Sequence, residues 1–464
     1  MPLASAAREA GVAAPCVRGA DAVLAGFGLP PPRRPAPLWA VLAPGNLAAL
    51  GRSALPLMPA AVGGCTLPTR MADRLLVLNA GSSSLKYELF DGDATLLEGE
   101  VARIGGAARH TVRVRNGPPR SAERACPDHA AAVDWALAEL AAARGAAWPG
   151  EVAAVGHRVV HGGPRLWRPT LVDDRVVGEL TRQAGLAPLH NGPSLAALRA
   201  ARALMPGVPH AVVFDTGFHH DLPRVARTYA LPTTLAKRWA IRRYGFHGTS
   251  CRYLLGRVAE LGIEPRRRVL LCHLGAGASV TAALDGRSRD TSMGFTPLEG
   301  LVMATRSGDV DPALPLFLER HAGLAPGDVE RLLEHESGLL GLGGTGDYAA
   351  LETAAAAGDA RAELALQVFA YRVRKYLGAY WAALAGVDLI VFAGGIGEHS
   401  AEARRRILGP MARLGWALDG ARNAAGPPER PVSPDGQVPA IWVIPTREAL
   451  QIAREVQATL AASA

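Results

Sequence analysis

Gly156-His157-Arg158-Val159-Val160-His161-Gly162-Gly163 reads as a strand running into a glycine loop. With the two-residue period of a strand, Arg158 and Val160 share one face, and His157 and His161 share the other. A guanidinium beside an apolar side chain suits a small carboxylate carrying a methyl group. The plainer use of such an arginine is a salt bridge at a strand end. A metal reading of the two histidines is weaker, because no third ligand stands nearby. Val212-Val213-Phe214 ends on Asp215, which could hold Mg²⁺ or a nucleophile at a strand end, or simply cap a helix. Tyr244-Gly245-Phe246-His247-Gly248 sets a histidine among aromatics and glycines, as a packed core histidine or as a place where a ligand comes close. Met303–Asp311 puts Arg306 in a loop with Asp309 and Asp311, where solvated charge is the bland alternative.

Three short turns of small residues follow apolar runs: Asn79-Ala80-Gly81-Ser82-Ser83-Ser84, Gly275-Ala276-Gly277-Ala278-Ser279 and Ala393-Gly394-Gly395-Ile396-Gly397-Glu398. Such turns let backbone N–H groups approach phosphate oxygens, since no Cβ blocks the way. One turn means little, but three after buried-type strands favour a nucleotide-phosphate site. The chain has no G-x-x-x-x-G-K-[ST] and no Gly-Lys dipeptide, which excludes a P-loop kinase. G-x-S-x-G and H-E-x-x-H are also missing.

The elements that must position these residues alternate between strands and helices. Strands are expected at 75–78, 85–90, 269–274, 280–284 and 389–392, and helices at 129–144, 193–204, 360–384 and 447–461. Strand, small-residue turn, strand occurs twice, about half a chain apart, which suggests a duplicated α/β domain. Residues 1–70 differ: they are rich in Ala, Pro, Gly and Leu, with six arginines against two acids. They resemble a transit peptide superficially, but a translation start at Met71 explains them more simply.

At 464 residues, 49% apolar and 20% charged, the chain is of globular composition with room for two domains. The net charge of +8 does not point to nucleic acid, because its arginines are dispersed and only Lys86, Lys237 and Lys375 are lysines. No apolar run reaches the roughly 18–20 residues of a membrane span. Five irregularly spaced cysteines argue against a disulfide or zinc framework and suit a reducing compartment, the cytoplasm.

From about Arg74 onward the chain resembles the acetate kinases, within the acetate and sugar kinase, Hsp70 and actin superfamily. The motifs that carry the resemblance are NAGSSSLKYELF (79–90), GHRVVHGG (156–163), FDTGFH (214–219), RRYGFHGTS (242–250), TSMGFTPLEGL (291–301) and TRSGDVDP (305–312). The resemblance implies two actin-like (ribonuclease H-like) domains around a cleft, one spanning 71–217 plus 448–464 and the other 218–447. It implies a homodimer, ATP or ADP as co-substrate, and Mg²⁺, or Mn²⁺ in its place. Arg158 and Arg306 would flank the substrate and the moving phosphoryl group. Asp215 would position the attacking carboxylate, and His247 would donate to phosphoryl oxygens, with His190 as a lesser neighbour. Val160, Leu189, Phe246 and Pro297 would wall the methyl pocket. Ser82, Ser84 and Lys86 would lie in the first phosphate loop, with Asn79 and Glu448 near the metal. His273, Leu274, Gly275, Ala276 and Gly277 would form the second loop, and Asp347, Gly395, Ile396, Gly397 and Glu398 would face the nucleotide.

Several positions depart from the family pattern. Ala276 replaces the asparagine of H-L-G-N-G, His399 that of G-I-G-E-N, and Ala349 an arginine after Asp347-Tyr348. The P-L-H-N-P loop is one residue longer, at Pro188–Pro193. These changes bear on nucleotide binding more than on the reaction. Propionate kinase is the competing activity, although a full-sized Val160 favours acetate. A nucleotide-driven switch, or an inactive kinase, is the alternative from another class.

Overall fold

The computed structural model describes residues 74–183 and 188–463, the side chains of 188–190 excepted. The expectations on residues 1–70 and on the side chains of Leu189 and His190 therefore lie outside the described residues. All described residues belong to one unit, Pro68–Ala464.

Strands β1 (Arg74–Ala80), β2 (Ser84–Asp91), β3 (Ala94–Ala102), β4 (Gly106–Val114), β5 (Arg120–Cys126), β6 (Val152–Val159), β7 (Thr170–Leu171) and β8 (His210–Phe214) form the first sheet. The second holds β9 (Arg268–Leu274), β10 (Ala278–Leu284), β11 (Arg287–Thr291), β12 (Leu389–Ala393), β13 (Arg430–Pro431) and β14 (Ala440–Val443). The first sheet runs β5-β4-β3-β2-β1-β6-β8-β7 and the second β11-β10-β9-β12-β14-β13. The duplication expected from sequence is visible in that order. The run β3-β2-β1-β6-β8 is antiparallel, antiparallel, parallel, parallel, and so is β11-β10-β9-β12-β14.

Each sheet buries an outer face under its own helices. Helix His129–Arg144, capped by Asp128 accepting from the Ala131 N–H, covers the first sheet with Val133, Ala136, Leu137 and Leu140. Helix Ala360–Leu384, capped by Asp359, covers the second with Leu366, Phe369, Val373 and Leu377, spaced three and four apart. Between the sheets lie helices Gly248–Glu260 and Glu448–Ser463, whose Leu254, Val258, Ile452 and Val456 share one core with β1, β9 and β12. Gly156 in β6 makes that packing possible. A Cβ there would come within 2.9 Å of Val456 Cγ2 and 3.0 Å of Ile452 Cγ2.

Two local expectations are corrected. The run after β12 is not a turn: Gly394–His399 is a short helix that begins directly at the strand end. The Pro188–Pro193 segment is not a loop either, since helix Pro188–Leu204 starts there and carries Pro193 within its first turns. Pro188 at the helix start gives up only an N–H that has no intrahelical partner, whereas Pro193, the sixth helical residue, costs the helix one hydrogen bond.

Candidate active site

Arg158 leaves β6 at its carboxyl end and Asp215 follows β8 at the equivalent level. Their side chains meet: Arg158 Nε donates to Asp215 Oδ1 at 2.9 Å and Nη2 to Oδ2 at 2.5 Å. Nη1 of the same guanidinium donates to Asn79 Oδ1 at 3.1 Å, at the end of β1. Three strand ends are thus joined by one fork-shaped cation. Burial works against both charges, pushing the Asp215 carboxyl up against the pull of Arg158. For Arg158 burial pulls down, but Asp215 and Glu448 outweigh it and raise the guanidinium, so it stays charged.

His247 holds a left-handed backbone (φ 55°, ψ 24°) as the cap residue of helix Gly248–Glu260. A non-glycine residue there stores strain that the surroundings must hold in place. Its Nδ1 lies 3.0 Å from Ser279 Oγ, and its ring stacks on His273 at 4.2 Å between centroids. Burial first, then His273 and the arginines Arg158 and Arg306, hold His247 well below its ordinary range, so the ring is neutral. Arg306 pairs through Nε with the buried Glu334 at 3.1 Å, and its Nη1 lies 3.5 Å from the Pro297 carbonyl. A Cβ on Gly277 would sit 3.3 Å from His247 Nε2 and 3.7 Å from Arg306 Nη1, so the second small-residue turn closes over both groups.

These residues line a cleft of about 410 Å³. Its walls take in Asn79, Ser82, Ser84, Lys86, Arg158, Val160, Asp215, Phe246, His247, His273, Ala276, Gly277, Pro297, Arg306 and Glu448. A second, more apolar cavity of about 430 Å³ is lined by Gly275, Asp347, Tyr348, Ala349, Gly395, Ile396 and His399. Ala276 borders both. Leu274 is fully buried and Gly397 is also buried, and neither lines either cavity. Glu398 is a clamp: its Oε1 accepts from the Gly394 N–H at 2.7 Å and the Thr446 N–H at 3.1 Å. Asp347 caps helix Tyr348–Ala356. His157 and His161 do not meet as ligands. His157 Nε2 lies 2.9 Å from His210 Nδ1, and His161 packs on Tyr244.

Sequence reasoning gave no role to Met293, Ser250, Ser279 and Glu334, which line the cleft or touch a residue that does, or to Thr446 behind Ser250. Met293, Ser250 and Ser279 stood inside runs that were recognised (TSMGF, RRYGFHGTS and the second small-residue turn) without being given a role. A partner such as Glu334 is joined to Arg306 by tertiary contact alone.

Glu448 begins the last helix at the cleft, and its Oε1 is buried without a hydrogen-bond partner. A buried, unpaired carboxylate oxygen is costly unless a cation or donor completes it. Among the described residues no three His, Cys, Asp or Glu side chains cluster to form a full metal cage. That donor set suits a hard cation which keeps its waters and takes its remaining ligands from phosphates, rather than a protein-caged ion.

The family model described as the Acetokinase family matches residues 74–454. The chain belongs to the acetokinase family. The acetate kinase of Leifsonia xyli is 46% identical over 398 residues, covering 84% of this chain and 99% of that protein. The acetate kinase of Dictyoglomus turgidum is 45% identical over 391 residues, covering 82% and 96%. Among solved structures, Porphyromonas gingivalis acetate kinase is similar with a TM-score of 0.77 at 37% identity, covering 84% of this chain and all of that one. A Francisella tularensis propionate kinase gives 0.78 at 34% identity, covering 83% and 99%. The two-sheet acetokinase fold is the duplicated actin-like one, and members of the family are kinases that phosphorylate a carboxylate.

Proposed function

We propose that this chain catalyses reversible transfer of the γ-phosphoryl group of ATP to acetate, giving acetyl phosphate and ADP. One observation carries the reading: a bidentately held arginine (Arg158), a neutral histidine (His247) and a second arginine (Arg306) face one cleft whose apolar wall is Val160, Phe246 and Pro297. A carboxylate oxygen of acetate attacks the γ-phosphorus in line, and the bond to the bridging oxygen of ADP breaks. Acetate is already an anion at neutral pH, so the site needs no strong base. Its work is positioning and charge stabilisation. Arg158 is pre-set by Asp215 and Asn79 and aligns the carboxylate. Arg306, oriented by Glu334, and the His247 ring at Nε2 stabilise the equatorial phosphoryl oxygens. The apolar cavity beyond Ala276 takes the adenosine.

Glu448, with Asn79 and Asp215 beside it, would hold the divalent ion, Mg²⁺ or Mn²⁺. When bound, that ion offsets phosphate charge on the nucleotide. We place 71–217 with 448–464 in one domain and 218–447 in the other, closing on the cleft. Val160 fills the pocket wall, which favours acetate over propionate. We read the enzyme as cytoplasmic; among the described residues no helix is long and apolar enough to cross a membrane. Formation of ADP from ATP that depends on added acetate tests the reaction; ADP release indifferent to any short carboxylate would contradict it.

The reading includes a homodimer. Trp239, Phe317 and Tyr371 are each more than half exposed. Exposed aromatic side chains of this kind suit burial against a second copy. Sedimentation should give twice the chain mass, and Phe317→Glu with Tyr371→Glu should halve it; a monomeric unmodified chain would contradict the dimer.

A further inference from the structure

Behind the second phosphate-facing turn, a line of hydroxyls joins elements far apart in sequence. His273 Nδ1 lies 2.9 Å from Ser250 Oγ, and Ser250 Oγ lies 2.8 Å from Thr446 Oγ1. Ser250 is fully buried in the first turn of the helix that His247 caps. Thr446 stands two residues before Glu448, and its own N–H is held by Glu398 at 3.1 Å. His273 lines the cleft and stacks on His247.

We infer that Ser250 and Thr446 are positioning residues that hold His273 as its Nε2–H tautomer, so that its ring offers a donor to the phosphate oxygens of the bound nucleotide. The inference rests on the nucleotide reading above. Nδ1 is taken by Ser250, which leaves Nε2 as the nitrogen available to a ligand. Burial keeps the ring below its ordinary range, so it is neutral and the tautomer is a real choice. Two proton orders are open. If Thr446 donates to Ser250 and Ser250 donates to Nδ1, both hydroxyl protons have acceptors. In the reverse order the proton of the half-buried Thr446 is left to solvent, with no acceptor among the described residues. The reverse order also turns an Nε2 lone pair toward a polyanion, which repels it. The hydroxyl pair and the anion therefore select the same tautomer.

Nitrogen-15 histidine labelling tests this directly, with His273→Gln used only to assign the signal. In the unmodified protein at neutral pH, long-range nitrogen–proton correlations should show His273 protonated on Nε2. Ser250→Ala removes the donor to Nδ1, so both tautomers should be populated. In that variant the KM for ATP should rise about fivefold, the worth of one net hydrogen bond, while the KM for acetate changes less than twofold. Thr446→Val should do the same more weakly, and Thr446→Ser should restore both readouts. If Ser250→Ala does not fold, the Thr446 pair carries the comparison. A proton on Nδ1 in the unmodified protein overturns the inference, as does a Ser250→Ala variant with unchanged tautomer and unchanged KM for ATP. The tautomer is read without turnover, so failure of the acetate reaction and failure of this inference are separate results.

Discussion

At the residue scale, the proposed reading gives two side chains control over what the site accepts. Val160 is 6% exposed and stands on the cleft wall beside Arg158. Val160→Ala opens room for one methylene, so the ratio of kcat/KM for propionate over acetate should rise about tenfold, within the ~1–3 kcal/mol that a methylene is worth. Competing-substrate kinetics check this; an unchanged ratio would place the methyl group elsewhere. Ala276 borders both cavities and is exposed, with a side chain too short to hydrogen-bond. Ala276→Asn adds an amide at that junction and should lower the KM for ATP severalfold, about 1 kcal/mol of binding, with the KM for acetate unmoved.

At the scale of elements, the sequence was most legible where period and punctuation agree. Helix Ala360–Leu384 was expected within its observed bounds because apolar residues recur three and four apart along it. Strands β1, β2, β9, β10 and β12 were recognisable as apolar runs meeting small-residue turns. Legibility failed where local signals conflict. Gly394–His399 is rich in glycine yet helical, because a β-strand ends there on a chain whose first N–H is taken by Glu398. Pro188–Pro193 reads as a loop by its prolines, although a helix start tolerates Pro188 and the helix gives up one hydrogen bond at Pro193. Motifs exposed the cleft residues, whereas Thr446 and Glu334 join them only through tertiary contacts that no spacing encodes. Gly156 belongs to this scale too. Gly156→Val would drive side-chain atoms into Val456 and Ile452, lifting the helix that carries Glu448. Urea unfolding should show a loss of about 1–3 kcal/mol, the usual cost of overpacking; full stability would contradict the tight seat.

At the scale of the whole molecule, the buried histidines should make stability depend on pH. Burial holds His161 and His219 down to about 4, against 6.5 for a free ring. His157 and His247 are held well below 6.5 by the same cause. The unfolded chain takes up these protons first, so their contribution to stability is full above pH 6.5. It falls as the pH drops from 6.5 toward 4, at up to about 1.4 kcal/mol per unit for each ring. Urea midpoints across that window check the sign; a midpoint that rises on acidification would contradict it. On the proposed reading the duplicated fold works as one enzyme, its two sheets both supplying residues to a single cleft. The most direct test of that reading is to incubate the protein with Mg-ATP and acetate, propionate or butyrate, and to trap acyl phosphate with hydroxylamine. The account predicts acyl hydroxamate from all three at most, with acetate the best substrate. A folded protein that binds ATP yet forms no acyl phosphate from any of the three acids would contradict it.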